Sequence, residues 1–351
     1  VATGCAVQLN PDVYAAMPGV NRVVGNEHKM KAETFAVGND APVLISDIMT
    51  VRETASHLMQ GYAAGFGERT RAFVQIQQGC DHRCSFCIIP FARGNNRSVP
   101  IGRLCAEVRG LIASGHKEIV LTGVDITGYG TDLPGYPTLG QMVRRLLSAV
   151  PELPRLRLSS LDPSEIDEDL YRVIAEDPRL MPHFHISAQS GDDIILKRMK
   201  RRHLRNEVID FCDRVRSVRP DAVFGADLIA GFPTETDQHF KNTVSLIDEA
   251  GLTHLHIFPY SVREDTPAER MPQVDATIIK KRAAHLRTVG KNVMNRFLAT
   301  CVGRKVSVLI EKDGIGQSEH YVPVRVQSKP RSGSLLNVTI ASVADGHLIA
   351  V

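Results

Sequence analysis

Between residues 72 and 261, apolar and polar positions fall into a repeating rhythm. Six short apolar or β-rich runs each end near a polar residue or a glycine: 72–79 (AFVQIQQG), 118–125 (EIVLTGVD), 155–161 (RLRLSSL), 184–190 (FHISAQS), 223–231 (VFGADLIAG) and 254–261 (HLHIFPYS). Each gap is long enough for a crossover helix. Over 101–114, Ile101, Leu104, Cys105, Val108, Leu111 and Ile112 share one helical face and Gly115 stops it. Asp162-Pro163-Ser164-Glu165 has the form of an N-cap, a proline at the first helical position and an acid at the third. Thr234 is placed to cap a helix ending before Gly251. Six strand–helix alternations predict a parallel α/β sheet or barrel, with its chemistry at the carboxyl ends of the strands.

The flanks break this rhythm. Residues 1–45 hold a strand end, a short helix near Asn10 to Met17 and a second apolar stretch, as in the tail of a small α/β domain; 46–71 read as a helical linker. The core is expected over 72–300. From Arg304 the pattern becomes alternation, at Val306, Val308 and Ile310, then 321–326, then Leu336, Val338 and Ile340, then 347–351. Asp313-Gly314, Ser332-Gly333 and Asp345-Gly346 separate these runs. This predicts a small all-β barrel over 301–351.

Composition narrows the classes. The 351 residues are 43% hydrophobic and 23% charged, which argues against general disorder. No apolar run approaches the roughly 20 residues of a membrane span, and no secretory leader is read. The net charge of +3 neither requires nor excludes a nucleic-acid partner. Seven cysteines point to metal or redox use in a reducing, cytoplasmic compartment rather than to a disulfide scaffold.

Cys80-Asp-His-Arg-Cys84-Ser-Phe-Cys87 carries the chemistry. Three thiolates can hold three irons of a [4Fe–4S] cubane and leave the fourth open for a substrate or cofactor. The bland alternatives are a zinc knuckle completed by His82 and unrelated core thiols. The spacing lacks the second C-x2-C or H-x3-H pair of structural zinc.

This loop, with Phe86 before its last cysteine and following the first of six βα units, resembles the radical S-adenosylmethionine (SAM) superfamily. Its continuation, Cys87-Ile-Ile-Pro90-Phe-Ala-Arg93-Gly94 and Arg97-Ser-Val-Pro100, resembles the methylthiotransferases. So do Leu121-Thr-Gly-Val-Asp125 with Tyr129-Gly130, Gln189-Ser-Gly191 with Leu196-Lys-Arg-Met199, Asp227-Leu-Ile-Ala-Gly-Phe-Pro233, and Phe258-Pro-Tyr-Ser261 with Thr266-Pro-Ala268. The final module resembles the TRAM barrel of that family, which binds RNA. Gly316-Gln-Ser-Glu-His-Tyr-Val-Pro323 is most like the branch that methylthiolates carbon 2 of N6-threonylcarbamoyladenosine beside the tRNA anticodon. Sister branches act on isopentenyladenosine in tRNA or on a ribosomal-protein aspartate. A reading from another class is an RNA-binding protein with a structural metal and no catalysis.

The resemblance implies a partial (β/α)6 barrel, a [4Fe–4S] cluster on Cys80, Cys84 and Cys87, and SAM chelated to the open iron. One electron then splits the sulfonium to give a 5′-deoxyadenosyl radical. SAM-holding candidates are Phe86, the Thr122-Gly123-Val124-Asp125 turn, Ser159, Ser187, Gln189, Arg198 for the carboxylate, and Asp227 through Gly231 for the adenine. For the turn and the polar strand ends the bland alternative is ordinary backbone satisfaction. Lys197, Lys200, Arg201, Arg202 and Arg205 read as a solvated basic face, as phosphate contacts or as SAM anchors. His320, Tyr321, Arg325, Lys329 and Arg331 are candidates for gripping RNA by charge and stacking. Cys105, Cys212 and Cys301 read as packed thiols. Cys5 matches the last of three cysteines that hold a second [4Fe–4S] cluster in the family. The other two would lie upstream, so the sequence reads as an amino-terminal truncation, expected to cleave SAM without transferring methylthio groups. The expected partners are the tRNA anticodon loop, an electron donor such as flavodoxin or ferredoxin, and a sulfur source. No membrane partner is expected, and the chain reads as a monomer.

Overall fold

Period-two alternation sorts the side chains of the core strands between two environments. In the computed structural model, which describes residues 1–36, 41–52 and 70–351, the core strands are β4 (Arg71–Gln75), β7 (Glu118–Thr122), β8 (Arg155–Leu158), β9 (His183–Gln189), β10 (Val223–Ala230) and β11 (Leu252–Pro259). On β9, Phe184, Ile186 and Ala188 are buried in the main core, while His183, His185, Ser187 and Gln189 take the opposite face. On β10 the core face is Phe224, Ala226, Leu228 and Ala230; on β8 it is Leu156 and Leu158. The outer face packs on the crossover helices and the inner face carries the polar residues.

All six strands are parallel. They run in the order β4–β7–β8 and then β9–β10–β11, and parallel bridges at Leu156–Leu180 and Leu161–Ile186 join the two groups. This is the partial (β/α)6 barrel that the resemblance implies, one of the parallel arrangements that the strand–helix alternation allows. Helices 101–113, 139–149, 168–176, 205–218 and 237–249 cover it. Two helix starts differ from expectation. Asp162 caps only the 3-10 turn Pro163–Glu165, and Asp167 caps the helix proper, Glu168–Glu176. Thr236, not Thr234, caps Asp237–Glu249: its hydroxyl accepts from the His239 N–H, and His239 answers the Thr236 N–H. Thr234 sits at φ 69°, outside the helix.

Upstream, two-residue strands β1 (Ala2–Thr3), β2 (Val23–Val24) and β3 (Val43–Leu44) pair in parallel, with short helices at Cys5–Leu9 and Pro11–Ala15 in place of one over 10–17. Of the expected helical linker over 46–71, residues 53–69 lie outside the described residues. Ile48–Thr50 is a 3-10 turn and Arg71 already belongs to β4. Among the described residues no helix is long and apolar enough to cross a membrane.

Downstream, β12 (Lys305–Lys312), β13 (Ile315–Ser318), β14 (Pro323–Val326), β15 (Leu335–Ala344) and β16 (His347–Ala350) close into a barrel in the order β12–β13–β14–β16–β15. The last turn of the long helix Ala276–Cys301 contributes Leu298 and Cys301 to its core, so the apolar contents of this barrel begin before residue 304.

The closed barrel plugs the amino-terminal mouth of the partial one. Arg155 Nη2 donates to the Ser307 carbonyl (2.6 Å), and Arg157 donates to the carbonyls of Ser318 (2.7 Å) and Glu319 (2.9 Å). Glu118, fully buried, accepts from Arg157 Nε (2.9 Å) and lies 3.5 Å from Arg155 and 3.7 Å from Arg71. Tyr321, at φ 61° in the β13–β14 connection, stacks on His183 with 5.2 Å between centroids and lies under the Arg157 guanidinium.

Candidate active site

The loop carrying the three cysteines leaves the carboxyl side of β4 through β5 (Gln77–Gln78) and is set by backbone constraints on both sides. Gly79 has φ +76°, and a Cβ there would stand 1.9 Å from the Asn95 carbonyl, so only glycine fits. The Cys80 N–H donates to the Gly94 carbonyl (3.1 Å), and the Cys87 N–H to Cys84 (3.1 Å). Between them, buried Ser85 is clamped: its N–H donates to the Met199 carbonyl (2.9 Å), its hydroxyl to the Arg198 carbonyl (2.6 Å), and its own carbonyl accepts from Ala268 (2.8 Å). Phe86 meets Phe232 edge-on at 6.3 Å, and Phe232 meets Tyr260 in the same way.

All three thiols are free and half-buried. Cys80 Sγ lies 3.5 Å from an Asp125 carboxylate oxygen, and Arg201 Nη1 points at Cys84 Sγ from 3.8 Å. Burial, then the Asp125 charge, pushes the Cys80 thiol up, and burial does the same to Cys87. Ionising them therefore requires positive charge at the loop. Three soft sulfur donors on one short loop suit an iron–sulfur cluster better than hard cations. His82 is bound by Asp125 (2.9 Å) and Glu165 (3.4 Å), which raise it to about 10. Its ring is thus committed to carboxylates.

The remaining candidates divide. The Val124 and Asp125 N–H groups both donate to Gln77 Oε1 (3.0 and 2.9 Å), so this part of the Thr122–Asp125 turn is satisfied internally; Gly123 lies so close to Gln77 that a Cβ would meet Oε1 at 2.7 Å. Ser159 lines the central cavity, and the Ser187 carbonyl accepts from Arg201 (2.8 Å). Gln189 closes β9 at φ 64°. The Gly231 N–H donates to Glu235 (3.0 Å). Arg198, expected at a carboxylate, donates to Thr234 Oγ1 (2.7 Å). The member of the basic run that reaches a loop sulfur is Arg201, expected on a solvated face but largely buried against Asp162, Ser187 and Cys84. The Asp227 side chain turns into the cavity toward histidines. Sequence reasoning missed Gln77, which ties Gly79, Asn96 and the 122–125 turn together; a buried glutamine at the end of an apolar strand was the available signal.

Asp162 anchors Arg201 (2.7 Å) and buried His203 (3.3 Å). Burial alone would raise its pKa, but the hydrogen bond from His203 and the charge of Arg201 outweigh it and hold the carboxyl well below its ordinary value. A depressed carboxyl contributes stability that is fully present above the unfolded value near 4 and is lost as pH falls below it. Denaturant unfolding is expected to show stability falling steadily below about pH 4, and Asp162→Asn is expected to flatten that slope.

Cys5 opens helix Cys5–Leu9 beside this region. It accepts from Arg93 Nε (2.9 Å), on the helix that follows Cys87, and lies 3.9 Å from Asn26 Nδ2. His320 pairs with Asp221 (3.8 Å), and Tyr321 is spent on His183; both rings therefore face the junction between the barrels. Arg325, Lys329 and Arg331 stand exposed on the closed barrel.

Residues 74–247 match the radical SAM superfamily model. Over its whole length the chain is 50% identical to the threonylcarbamoyladenosine tRNA methylthiotransferase MtaB of Rickettsia prowazekii, covering 82% of that protein. It is 32% identical to the protein of the same name from Aquifex aeolicus, over 97% of this chain and 82% of the relative. It is 34% identical to a tRNA-2-methylthio-N(6)-dimethylallyladenosine synthase of Cereibacter sphaeroides, over 98% of this chain and 80% of the relative. The chain belongs to the radical SAM methylthiotransferases. Enzymes of this family work with a [4Fe–4S] cluster and SAM, and the cysteine loop of this methylthiotransferase offers the donor set such a cluster takes.

Proposed function

We propose that this protein, with the second cluster that Cys5 would help to hold, methylthiolates carbon 2 of N6-threonylcarbamoyladenosine beside the anticodon of tRNA, in the cytoplasm. The observation that carries the reading is the Cys80–Cys84–Cys87 loop, held over the carboxyl ends of a six-stranded parallel half-barrel, in a chain 50% identical to a relative named for that nucleoside. Cys80, Cys84 and Cys87 would hold the cluster, and together with SAM it supplies one-electron chemistry able to take hydrogen from a ring carbon.

The chain's own residues prepare the rest. Ser85 fixes the loop to residues 198–199 and to Ala268, so the three sulfurs are presented as a rigid set. Arg201 brings positive charge to the loop, its Nη1 directed at Cys84 Sγ from 3.8 Å. Phe86, Phe232 and Tyr260 place an aromatic wall beside the loop that limits water. Cys5, against the helix after the loop, is the candidate ligand for the second cluster. An RNA-binding TRAM module over 301–351 offers Arg325, Lys329 and Arg331 to phosphates, with the anticodon-loop base drawn out of its stack. A flavodoxin- or ferredoxin-class donor and a sulfur source complete the system.

Mass spectrometry of tRNA nucleosides is the test. Cells lacking the gene are expected to retain N6-threonylcarbamoyladenosine and lose its 2-methylthio derivative, which returns with the gene. Unchanged nucleosides overturn the reading. Loss of the dimethylallyl derivative instead moves the substrate to the sister branch.

A further inference from the structure

We propose that His185, Asp227 and His256 form a second metal site, separate from the cysteine loop, that takes one divalent transition metal of the zinc or iron(II) class inside the barrel cavity. Three neighbouring strands build it. Asp227 on β10 is register partner to His256 on β11, and His185 on β9 is partner to Gly225, two positions back on the same face of β10. Gly225 makes the arrangement possible, since a Cβ there would stand 2.4 Å from His185 Nδ1. The imidazole therefore lies across β10 and reaches Asp227.

The spacing is that of donors around one ion. Asp227 Oδ1 lies 2.9 Å from His185 Nε2 and 3.2 Å from His256 Nδ1, and the three atoms fall within 4.8 Å of one another. Bonds of about 2.0–2.2 Å meeting at 90–109° put neighbouring ligand atoms about 2.9–3.5 Å apart. Two imidazoles and a carboxylate form a facial set that leaves coordination positions open. Those positions face a cavity of about 700 Å³ whose wall includes Ser159 and Tyr321. Two further imidazoles, His183 and His254, belong to the same wall; the Nε2 atoms of both lack a hydrogen-bond partner, and His183 is only 8% exposed. They are uncommitted polar atoms in a cavity wall and mark it as built for a polar occupant.

Anoxic titration with Co²⁺ tests the site, using the full chain with Cys80, Cys84 and Cys87 replaced by alanine so that the loop thiolates do not compete. One equivalent is expected to bind, with visible d–d bands and no thiolate charge-transfer band. His256→Gln and Asp227→Asn are each expected to weaken binding roughly tenfold or more. The cysteine-intact chain guards against misfolding of the triple variant. There the same visible bands are expected beside any thiolate bands, and the single change His256→Gln, at a largely exposed side chain, should remove them. The proposal is overturned if no saturable equivalent binds, if the bound cobalt shows only thiolate bands, or if both variants bind as tightly as their parent. Those outcomes leave a plain triad in which the Asp227 carboxylate accepts from two imidazole N–H groups.

Discussion

Cys84→Ala, reconstituted anoxically with iron and sulfide, is expected to lose the roughly four irons and four sulfides that the cysteine loop takes up, with the associated brown absorbance. Release of 5′-deoxyadenosine from SAM should fall at least about a thousandfold, because the chemistry resides in the cofactor and not in a side chain that could substitute. The position is sensitive for a structural reason. Cys84 is the middle donor, is followed directly by the clamped Ser85, and faces Arg201. The other described cysteines are otherwise placed: Cys105 and Cys212 are buried in the main core, Cys301 in the closed barrel, and Cys5 is held by Arg93 on the amino-terminal helix. Retention of full iron and sulfide by this variant would remove the loop from the centre of the reading. Circular dichroism of the apo form separates cluster loss from unfolding.

Glu118→Ala is expected to cost about 3–5 kcal/mol of stability in denaturant titration, since it removes the carboxylate and leaves buried guanidiniums uncompensated. Glu118 has no exposed surface, and Arg155 and Arg157 are each 2% exposed beside it. The two arginines keep carbonyl partners at Ser307, Ser318 and Glu319, so what they lose is the charge that compensates them and the one hydrogen bond from Arg157 Nε. Glu118→Gln should recover part of the loss by restoring an acceptor for Arg157 Nε. A Glu118→Ala chain as stable as the parent would show that the junction between the two barrels does not rest on this charge.

The half-barrel was legible because its signal is periodic: short apolar strands recur with room for a crossover helix between them, with core-facing and polar positions alternating on β8 and β9, and the loop cysteines declare themselves by spacing alone. The helix starts were less legible because capping residues compete locally. In Thr234-Glu-Thr236 both hydroxyls are suitable, and only Thr236 has a responding side chain, His239, three residues on. In the Asp162 segment a proline and an acid imitate a helix start, while the cap that builds the helix comes five residues later. The basic run was the hardest to sort. Helix Asp193–Arg198 ends, Lys200 adopts φ 57°, and the chain reverses so that Arg201 turns inward while Arg198 stays at the surface. Such a reversal depends on one backbone dihedral, and the composition of the run is blind to it. Pairing of Tyr321 with His183 was likewise invisible, since it joins residues from separate barrels. A signal for the histidine cavity did exist: His183 and His185, and His254 and His256, recur at strand spacing on the two strands that flank β10.

The plug at the foot of the half-barrel also governs when that half-barrel is finished. Arg155 and Arg157 find their carbonyl partners 152 to 162 positions further along the chain. A ribosome adding about 5–20 residues per second must therefore complete nearly all of the polypeptide before these guanidiniums are satisfied. Until then the two cations at the base of the nascent core have Glu118 as counter-charge but lack the carbonyls that complete their hydrogen bonding.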